Sequence, residues 1–273
     1  MTDQTGTRSR FLDLHFSQLP LLLPNPWDLG SAKLLAAMGF EALATTSGGF
    51  AGSLGRLDGH VTRDEAIAHA AAIGSATGLP VNGDFENCFA DEPDGVVETV
   101  RLAAAAGVEG CSVEDWSGSE IYDIELATER VTAAAEAAHA GSAPLVLTAR
   151  AENQLRRQHD LHDTISRLQR YQEAGADVLY APALRSMEEV RAVLASVDRP
   201  INVLAVPGLP PVAELAEAGV SRVSIGSAFA YDAYGALIQA ATEFRNAGTY
   251  GFLDRAVHAY RELAREAFTG NRR

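Results

Sequence analysis

At 273 residues, with 47% hydrophobic and 21% charged side chains, the chain is long and apolar enough for one large domain with a sizeable core. That balance excludes a disordered, collagenous or disulfide-stapled chain, and the two cysteines, Cys88 and Cys111, are too few for a cysteine-rich zinc site. A formal net charge of -14 argues against nucleic acid, whose phosphates need a positive patch, and Lys33, the only lysine, is the one residue able to form a Schiff base.

Residues 1–10 are polar and lack the apolar stretch of a signal peptide, so a cytoplasmic protein is expected. The run at 19–23 is broken by Pro20 and stopped by Pro24, far short of the ~20 apolar residues of a membrane span. Residues 20–24 read as a first strand, 31–38 as a helix, 41–46 as a second strand and 48–59 as a glycine-rich loop. Thr62 then caps a helix over 62–77, with Glu65 completing a capping box. A strand at 80–86, a helix at 93–106 with Pro93 at its start and a strand at 110–115 follow. Next come a helix at 124–140, a strand at 145–150, a helix at 160–174 and a strand at 177–181. The chain continues with a helix at 186–196, a strand at 201–206, a helix at 211–218 and a strand at 221–225. Helices at 228–245 and near 253–268 close it.

Eight strands, each followed by a helix, imply parallel strands with helical crossovers, and the nearly unbroken apolar runs fit strands covered on both faces. Gly39, Gly78, Gly107, Gly175 and Gly219 stand where left-handed helix caps belong. The expected fold class is α/β, a (β/α)8 TIM barrel over 19–248, with an N-terminal extension at 1–18 and an additional C-terminal helix at 249–273. An open doubly wound sheet is the alternative.

In such a barrel the chemistry sits at the C-terminal ends of the strands. Those ends carry Thr45 to Gly49 after strand two, Asp84 and Glu86 after strand three, and Glu114 and Asp115 after strand four. Arg150, Glu152 and Asn153 follow strand five, Asn202 lies on strand seven, and Ser227 follows strand eight. Carboxylates brought together raise one another's pKa unless a cation neutralises them, and hard oxygen ligands suit Mg2+ or Mn2+. Arg150 offers a planar fork for a carboxylate or phosphonate, and glycines at 48, 49, 52 and 55 let backbone N–H groups approach an anion. One carboxylate at a strand end is as often a helix cap or a loop ion pair. Three of them beside an arginine point to a metal-dependent barrel enzyme acting on an anionic substrate.

Other residues weigh less. Cys88 reads as a small buried thiol, with a displaced catalytic acid as the alternative, and Cys111 as core. Lys33 reads as a surface residue, and Trp116 as packing. His159 and His162 read as a solvent-facing helix start, because no third ligand lies near them in sequence. Glu120 and Tyr122 are candidate loop acids.

Several short motifs occur in a specific order: Asn25-Pro26-Trp27-Asp28 with Ser31-Ala32 and Gly39-Phe40, then Ser47-Gly48 through Leu54-Gly55 and Asp58. Asp84-Phe85-Glu86, Val113-Glu114-Asp115, Ala149-Arg150-Ala151-Glu152, Ala174-Gly175-Ala176-Asp177 and Pro200-Ile201-Asn202 continue the series. Over about residues 24–248 the chain thereby resembles the isocitrate lyase/phosphoenolpyruvate mutase superfamily. The resemblance implies a Mg2+-dependent barrel acting on 2-oxo or 2-hydroxy carboxylates through an enolate. It implies that Asp84, Glu86 and Glu114 hold the metal, directly or through water, with Asp58 near its water shell. It further implies that Arg150 binds the substrate carboxylate, that Ser47 and Gly48 donate hydrogen bonds to it, and that Asn202 stands close by. Asp58, Glu114 and Arg150 are then the expected catalytic residues.

The chain also departs from the family. Lyases of this superfamily carry Lys-Lys/Arg-Cys-Gly-His on the loop after strand four, where the cysteine serves as acid/base. Here the stretch from Trp116 to Tyr122 has no cysteine, lysine or histidine, and the mutases' loop lysine is missing too. Glu86 replaces an aspartate and Cys88 a glycine. Decarboxylation of a β-keto acid needs mainly an electron sink, so the expected activity is a lyase or decarboxylase of a small 2-oxo or 2-hydroxy carboxylate. One alternative is a phosphonate P–C bond enzyme of the phosphoenolpyruvate mutase or phosphonopyruvate hydrolase type, and the other a non-catalytic oxo-acid-binding barrel. The helices from Ala228 onward fit the family habit of exchanging a helix between subunits, which implies a homodimer or homotetramer without nucleic-acid or membrane partners.

Overall fold

The apolar runs between glycine-terminated helices pair as parallel strands in the computed structural model, which describes residues 10–140, 144–259 and 264–269. The strands are β1 (Leu21–Leu23), β2 (Leu43–Ala44), β3 (Val81–Asp84), β4 (Gly110–Glu114), β5 (Val146–Arg150), β6 (Val178–Tyr180), β7 (Ile201–Leu204) and β8 (Arg222–Ser224). They are hydrogen-bonded in the order β1-β8-β7-β6-β5-β4-β3-β2. At the remaining seam Ala44 N–H donates to the Pro24 carbonyl at 3.0 Å, and the Asn25 amide bridges the Thr45 carbonyl (2.9 Å) and the Gly226 N–H (2.9 Å). The sheet therefore curls into a nearly closed barrel, which excludes the open doubly wound alternative.

Helices α1 (Leu29–Ala37), α2 (Ser47–Ser53), α3 (Arg63–Thr77), α4 (Pro93–Ala105), α5 (Ile124–His139), α6 (Leu161–Glu173), α7 (Met187–Leu194), α8 (Val212–Ala218) and α9 (Ala228–Ala247) follow the strands in turn. Local sequence sets their ends. Thr62 and Glu65 form both halves of the capping box on α3, and Asp28 with Ser31 does the same on α1; a cap of this kind contributes about 1 kcal/mol. All five glycines expected as helix terminators sit at positive φ.

Three local expectations change. Residues 48–59 are not one loop, because Thr46 caps a helical turn over Ser47–Ser53. Its glycines serve packing: a Cβ on Gly48 would lie 2.9 Å from Ser227 Oγ and from Tyr231 Oη, and one on Gly49 would lie 2.6 Å from the Thr46 methyl. The C-terminal stretch contains two short helices, α10 (Leu253–Ala259) and α11 (Arg265–Thr269), and residues 260–263 between them lie outside the described residues. Residues 1–9 of the expected extension also lie outside them, but its later part plugs the barrel floor. Phe11 is fully buried with Leu21, Leu23, Val146 and Val178, in space that exists because residue 110 is glycine: a Cβ there would lie 2.6 Å from the Phe11 ring.

Helix α9 behaves differently from the others. Of its 20 residues only Ala230 is buried, while Leu237 (64%), Ile238 (66%) and Phe244 (58%) stand exposed. No described helix is long and apolar enough to cross a membrane.

Candidate active site

The barrel interior sets this chain apart. Such interiors are usually filled by layers of branched apolar side chains. Here Asn82, Ser112, Thr148, Asn202, Arg222 and Ser224 are buried on the strands, and a cavity of about 200 Å³ lies among them. A second cavity of about 650 Å³ opens above it, towards the β3–α4 and β4–α5 loops.

Strand β3 delivers two carboxylates through a strained turn. Glu86, Cys88 and Phe89 sit at φ 50°, 59° and 57°, where non-glycine residues cost ~1–3 kcal/mol each. The turn is fixed by Glu114 N–H donating to the Glu86 carbonyl (3.0 Å) and by Cys88 N–H donating to the Phe85 carbonyl (2.7 Å). The Phe85 ring folds over Gly83, where a Cβ would stand 2.3 Å from it. Glu86 thereby lines the outer cavity while Phe85 is fully buried.

Arg150, at the end of β5, is the hub of the mouth. Its Nη1 donates to Asp84 Oδ1 at 2.7 Å, its Nη2 pairs with Glu114 Oε2 at 2.9 Å and Glu152 Oε1 at 2.7 Å, and its Nε also reaches Glu152 Oε1 at 3.1 Å. Asp84 Oδ2 accepts from Ser47 N–H at 3.1 Å. Arg156 supplies the second guanidinium, 3.3 Å from Glu152 Oε2 and 3.7 Å from Glu114 Oε1, and stacks on Trp116 with its Cζ 4.5 Å from the ring centroid.

The charges do not balance. Asp84, Glu86, Glu114 and Glu152 face Arg150 and Arg156, leaving a formal excess of two negative charges. Burial, then Asp84 and Asp58, pushes the Glu86 carboxyl up to about 7. Burial raises Glu114 well above the usual carboxylate range against the pull of Arg150, and Glu152 and Asp84 add to the rise. Glu152 Oε2 is buried without a hydrogen bond. Hard oxygens, a formal negative excess and a buried carboxylate oxygen met only by the Arg156 ion pair at 3.3 Å are the donor chemistry a divalent cation fits. Among the described residues no three side chains form a ready ligand set, and Arg150 holds the oxygens of Asp84 and Glu114 that a metal would take.

The structure brings most of the expected residues together. Ser47, Asp58, Glu86, Glu114 and Arg150 line the outer cavity, and Ser47, Asp58, Asp84, Arg150 and Asn202 the inner one. Gly48 lies in the first turn of α2 against Asp58, whose Cγ a Cβ there would approach to 3.3 Å. The Arg150 fork, expected to be open for a substrate, is taken up by three carboxylates. Asn202 is 1% exposed, accepting from Arg222 Nε (2.9 Å) and donating to Ser224 Oγ (2.9 Å).

Other candidates stand apart from the mouth. Asp115 faces the helices, where it accepts from Arg167 Nη1 (3.1 Å), Tyr171 hydroxyl (2.6 Å) and Glu152 N–H (2.8 Å). Tyr122 hydrogen-bonds Asp91 and Asn87 beneath Arg130, and burial with the Asp91 contact pushes its hydroxyl up to about 12. Glu120, His159 and His162 are exposed. Cys88 and Cys111 are fully buried, and burial holds the Cys88 thiol at about 12, which makes it an inert filler.

Sequence reasoning missed Arg222, Tyr180 and His15. The available signal was an arginine inside the strand 221–225, where a buried guanidinium needs a reason.

Several known proteins are similar to this chain. Residues 11–245 match the family model described as phosphoenolpyruvate phosphomutase. A Burkholderia cenocepacia J2315 structure provisionally described as a lyase/mutase is 46% identical, with a TM-score of 0.90 over 95% of this chain and 97% of that one. The uncharacterized protein Rv1998c of Mycobacterium tuberculosis is 38% identical over 219 residues, 80% of this chain and 81% of its own. The 2-methylisocitrate lyase of Halalkalibacterium halodurans is 30% identical over 211 residues, 72% and 67% of the two chains.

Proposed function

The chain belongs to the phosphoenolpyruvate mutase/isocitrate lyase superfamily, whose members similar to it are lyases and mutases, and from that premise we propose a Mg2+-dependent lyase or decarboxylase of a small 2-oxo or 2-hydroxy carboxylate. The observation that carries this reading is the uncompensated negative charge where β3, β4 and β5 end, beside a cavity sized for a small acid.

In this reading Asp84, Glu86 and Glu114 hold the cation, directly or through water, with Asp58 beside its water shell. When bound, Mg2+ or Mn2+ supplies an electron sink for the charge that develops on the 2-oxo oxygen. Ser47 and the Gly48 N–H hold the substrate carboxylate. Arg150 holds Asp84 and Glu114 in place through its ion pairs and sits beside the acid. The loop residues Trp116, Ser117 and Gly118 line the outer cavity without an ionisable group. This favours decarboxylation, in which the C–C bonding pair passes to the enolate and CO2 leaves, with water supplying the final proton at carbon. Aldol-type cleavage needs a positioned base for the hydroxyl proton, which that loop does not offer.

Progress curves with oxaloacetate and substituted malates, with Mg2+ and with chelator, test the reading. Turnover is expected to require the metal and to fall at least ~100-fold in Glu114→Gln; metal-independent turnover refutes it. The family model's own description motivates a second reading, a P–C bond enzyme, and phosphorus NMR of phosphonopyruvate incubated with the protein separates the two. For the exposed apolar face of α9 we propose a second copy of the chain as the cover, in a homodimer or homotetramer. Light scattering checks the oligomer, and Leu237→Asp is expected to release monomers.

A further inference from the structure

Arg222 is a buried cation without an anion. Its side chain is 2% exposed at the start of β8, inside the barrel. Its Nε donates to Asn202 Oδ1 at 2.9 Å, its Nη1 to His15 Nε2 at 3.3 Å and its Nη2 to Thr148 Oγ1 at 3.2 Å. All three acceptors are neutral. The His15 Nδ1–H is committed to the Phe11 carbonyl (2.9 Å), which leaves Nε2 as the lone pair that Arg222 meets. Among the described residues no carboxylate pairs with this guanidinium, whereas Arg150, in the same cavity, holds three.

An unpaired buried charge is among the most expensive groups a fold can hold. A guanidinium has five N–H groups, and the three bonds above use only part of them. Arg222 lines the inner cavity of about 200 Å³ together with Tyr180, Asn202 and Ser224. Burial and the neighbouring Arg150 lower its pKa to about 9, which still leaves it charged near neutrality. Tyr180, which partly opposes that lowering, is itself pushed up to about 12 by burial and is a neutral hydroxyl near pH 7, not a carboxylate partner. The cavity is thus negative at its rim and positive at its floor.

We propose that the floor of the barrel is a second anion subsite, where Arg222, flanked by the Ser224 and Tyr180 hydroxyls, takes the distal carboxylate of a short dicarboxylate whose other end sits at the Ser47–Glu114 rim. The role of that acid as substrate rests on the function proposed above; the subsite itself does not. It makes a dianionic acid the preferred ligand and places the discriminating cation at the cavity floor, apart from the metal-binding carboxylates.

Calorimetric titration of the full-length protein with malonate and succinate, against acetate and propionate, tests this with Mg2+ and again in EDTA. The dicarboxylates are expected to bind more tightly in both buffers. Arg222→Met is expected to weaken them roughly 10- to 100-fold while leaving the monoacids unchanged, the loss of one charge-assisted pair. Should Arg222→Met not fold, Ser224→Asp places a carboxylate two residues along the same strand face, and is expected to keep the fold and abolish the preference for dicarboxylates. Wild-type dicarboxylate affinity in the folded variant, or equal loss of both ligand classes, overturns the subsite. Arg222-dependent binding without turnover on any substrate leaves the subsite standing and refutes the proposed reaction; metal-dependent turnover with KM unchanged in the variant does the reverse.

Discussion

His15 ties the N-terminal plug to the barrel floor, and it should make the protein sensitive to acid. The ring is 2% exposed and packs edge-on against Phe11 at 5.2 Å. Burial, reinforced by the Arg222 charge and only partly opposed by the backbone hydrogen bonds with Phe11 and Leu12 and by Asp177, lowers its pKa from 6.5 to about 3. The unfolded chain binds a proton at this residue below about 6.5, whereas the folded protein refuses it until about 3. The unfolded state therefore takes up more protons in that window, and stability is lost as pH falls through it. At pH 5 the offset from 6.5 corresponds to about 2 kcal/mol. His15→Gln cannot titrate. It is expected to cost about 1–2 kcal/mol at pH 7.5 through weaker bonds to Phe11 and Arg222. Between pH 7.5 and pH 5.0 it should then lose about 2 kcal/mol less than wild type. Urea unfolding followed by tryptophan fluorescence at the two pH values gives the comparison, and titrations common to both proteins cancel. Parallel losses in the two proteins would show that His15 is not held neutral by burial, and the account of the barrel floor would fail with it.

Two further outcomes follow from the packing around the mouth. Gly48→Ala brings a methyl to 2.9 Å from Ser227 Oγ and Tyr231 Oη, so α2 must shift from α9; a loss of about 1–3 kcal/mol by thermal unfolding is expected, with a raised KM for any substrate held at that turn. Asp115→Asn removes the charge shared by Arg167 and Tyr171, and a destabilisation of about 3 kcal/mol is expected, softened by the Asp163–Arg167 pair at 2.9 Å. Because Asp115 also fixes the Glu152 N–H, a drop in Mg2+ affinity measured by calorimetry should accompany that loss, and unchanged affinity would confine Asp115 to stability.

Much of this protein was legible in its residues because the signals are local. Capping boxes, glycine terminators and alternating apolar runs each act over a few residues, so Thr62 with Glu65 and Gly78 could be read directly and the eight-unit barrel counted from them. Barrel geometry then brings strand ends together wherever the loops wander, which is why Asp84, Glu86, Glu114 and Arg150 could be named as neighbours. What the chain does not write locally is which neighbour each charge chooses. Glu114 and Asp115 are adjacent in sequence, but successive strand residues face opposite sides, so one joins the mouth and the other braces α6. Arg150 is neutralised by acids from three strand ends, and Arg222, seventy-two residues on by number, meets none. Pairing of charges depends on distance and burial, and only the closed barrel fixes both.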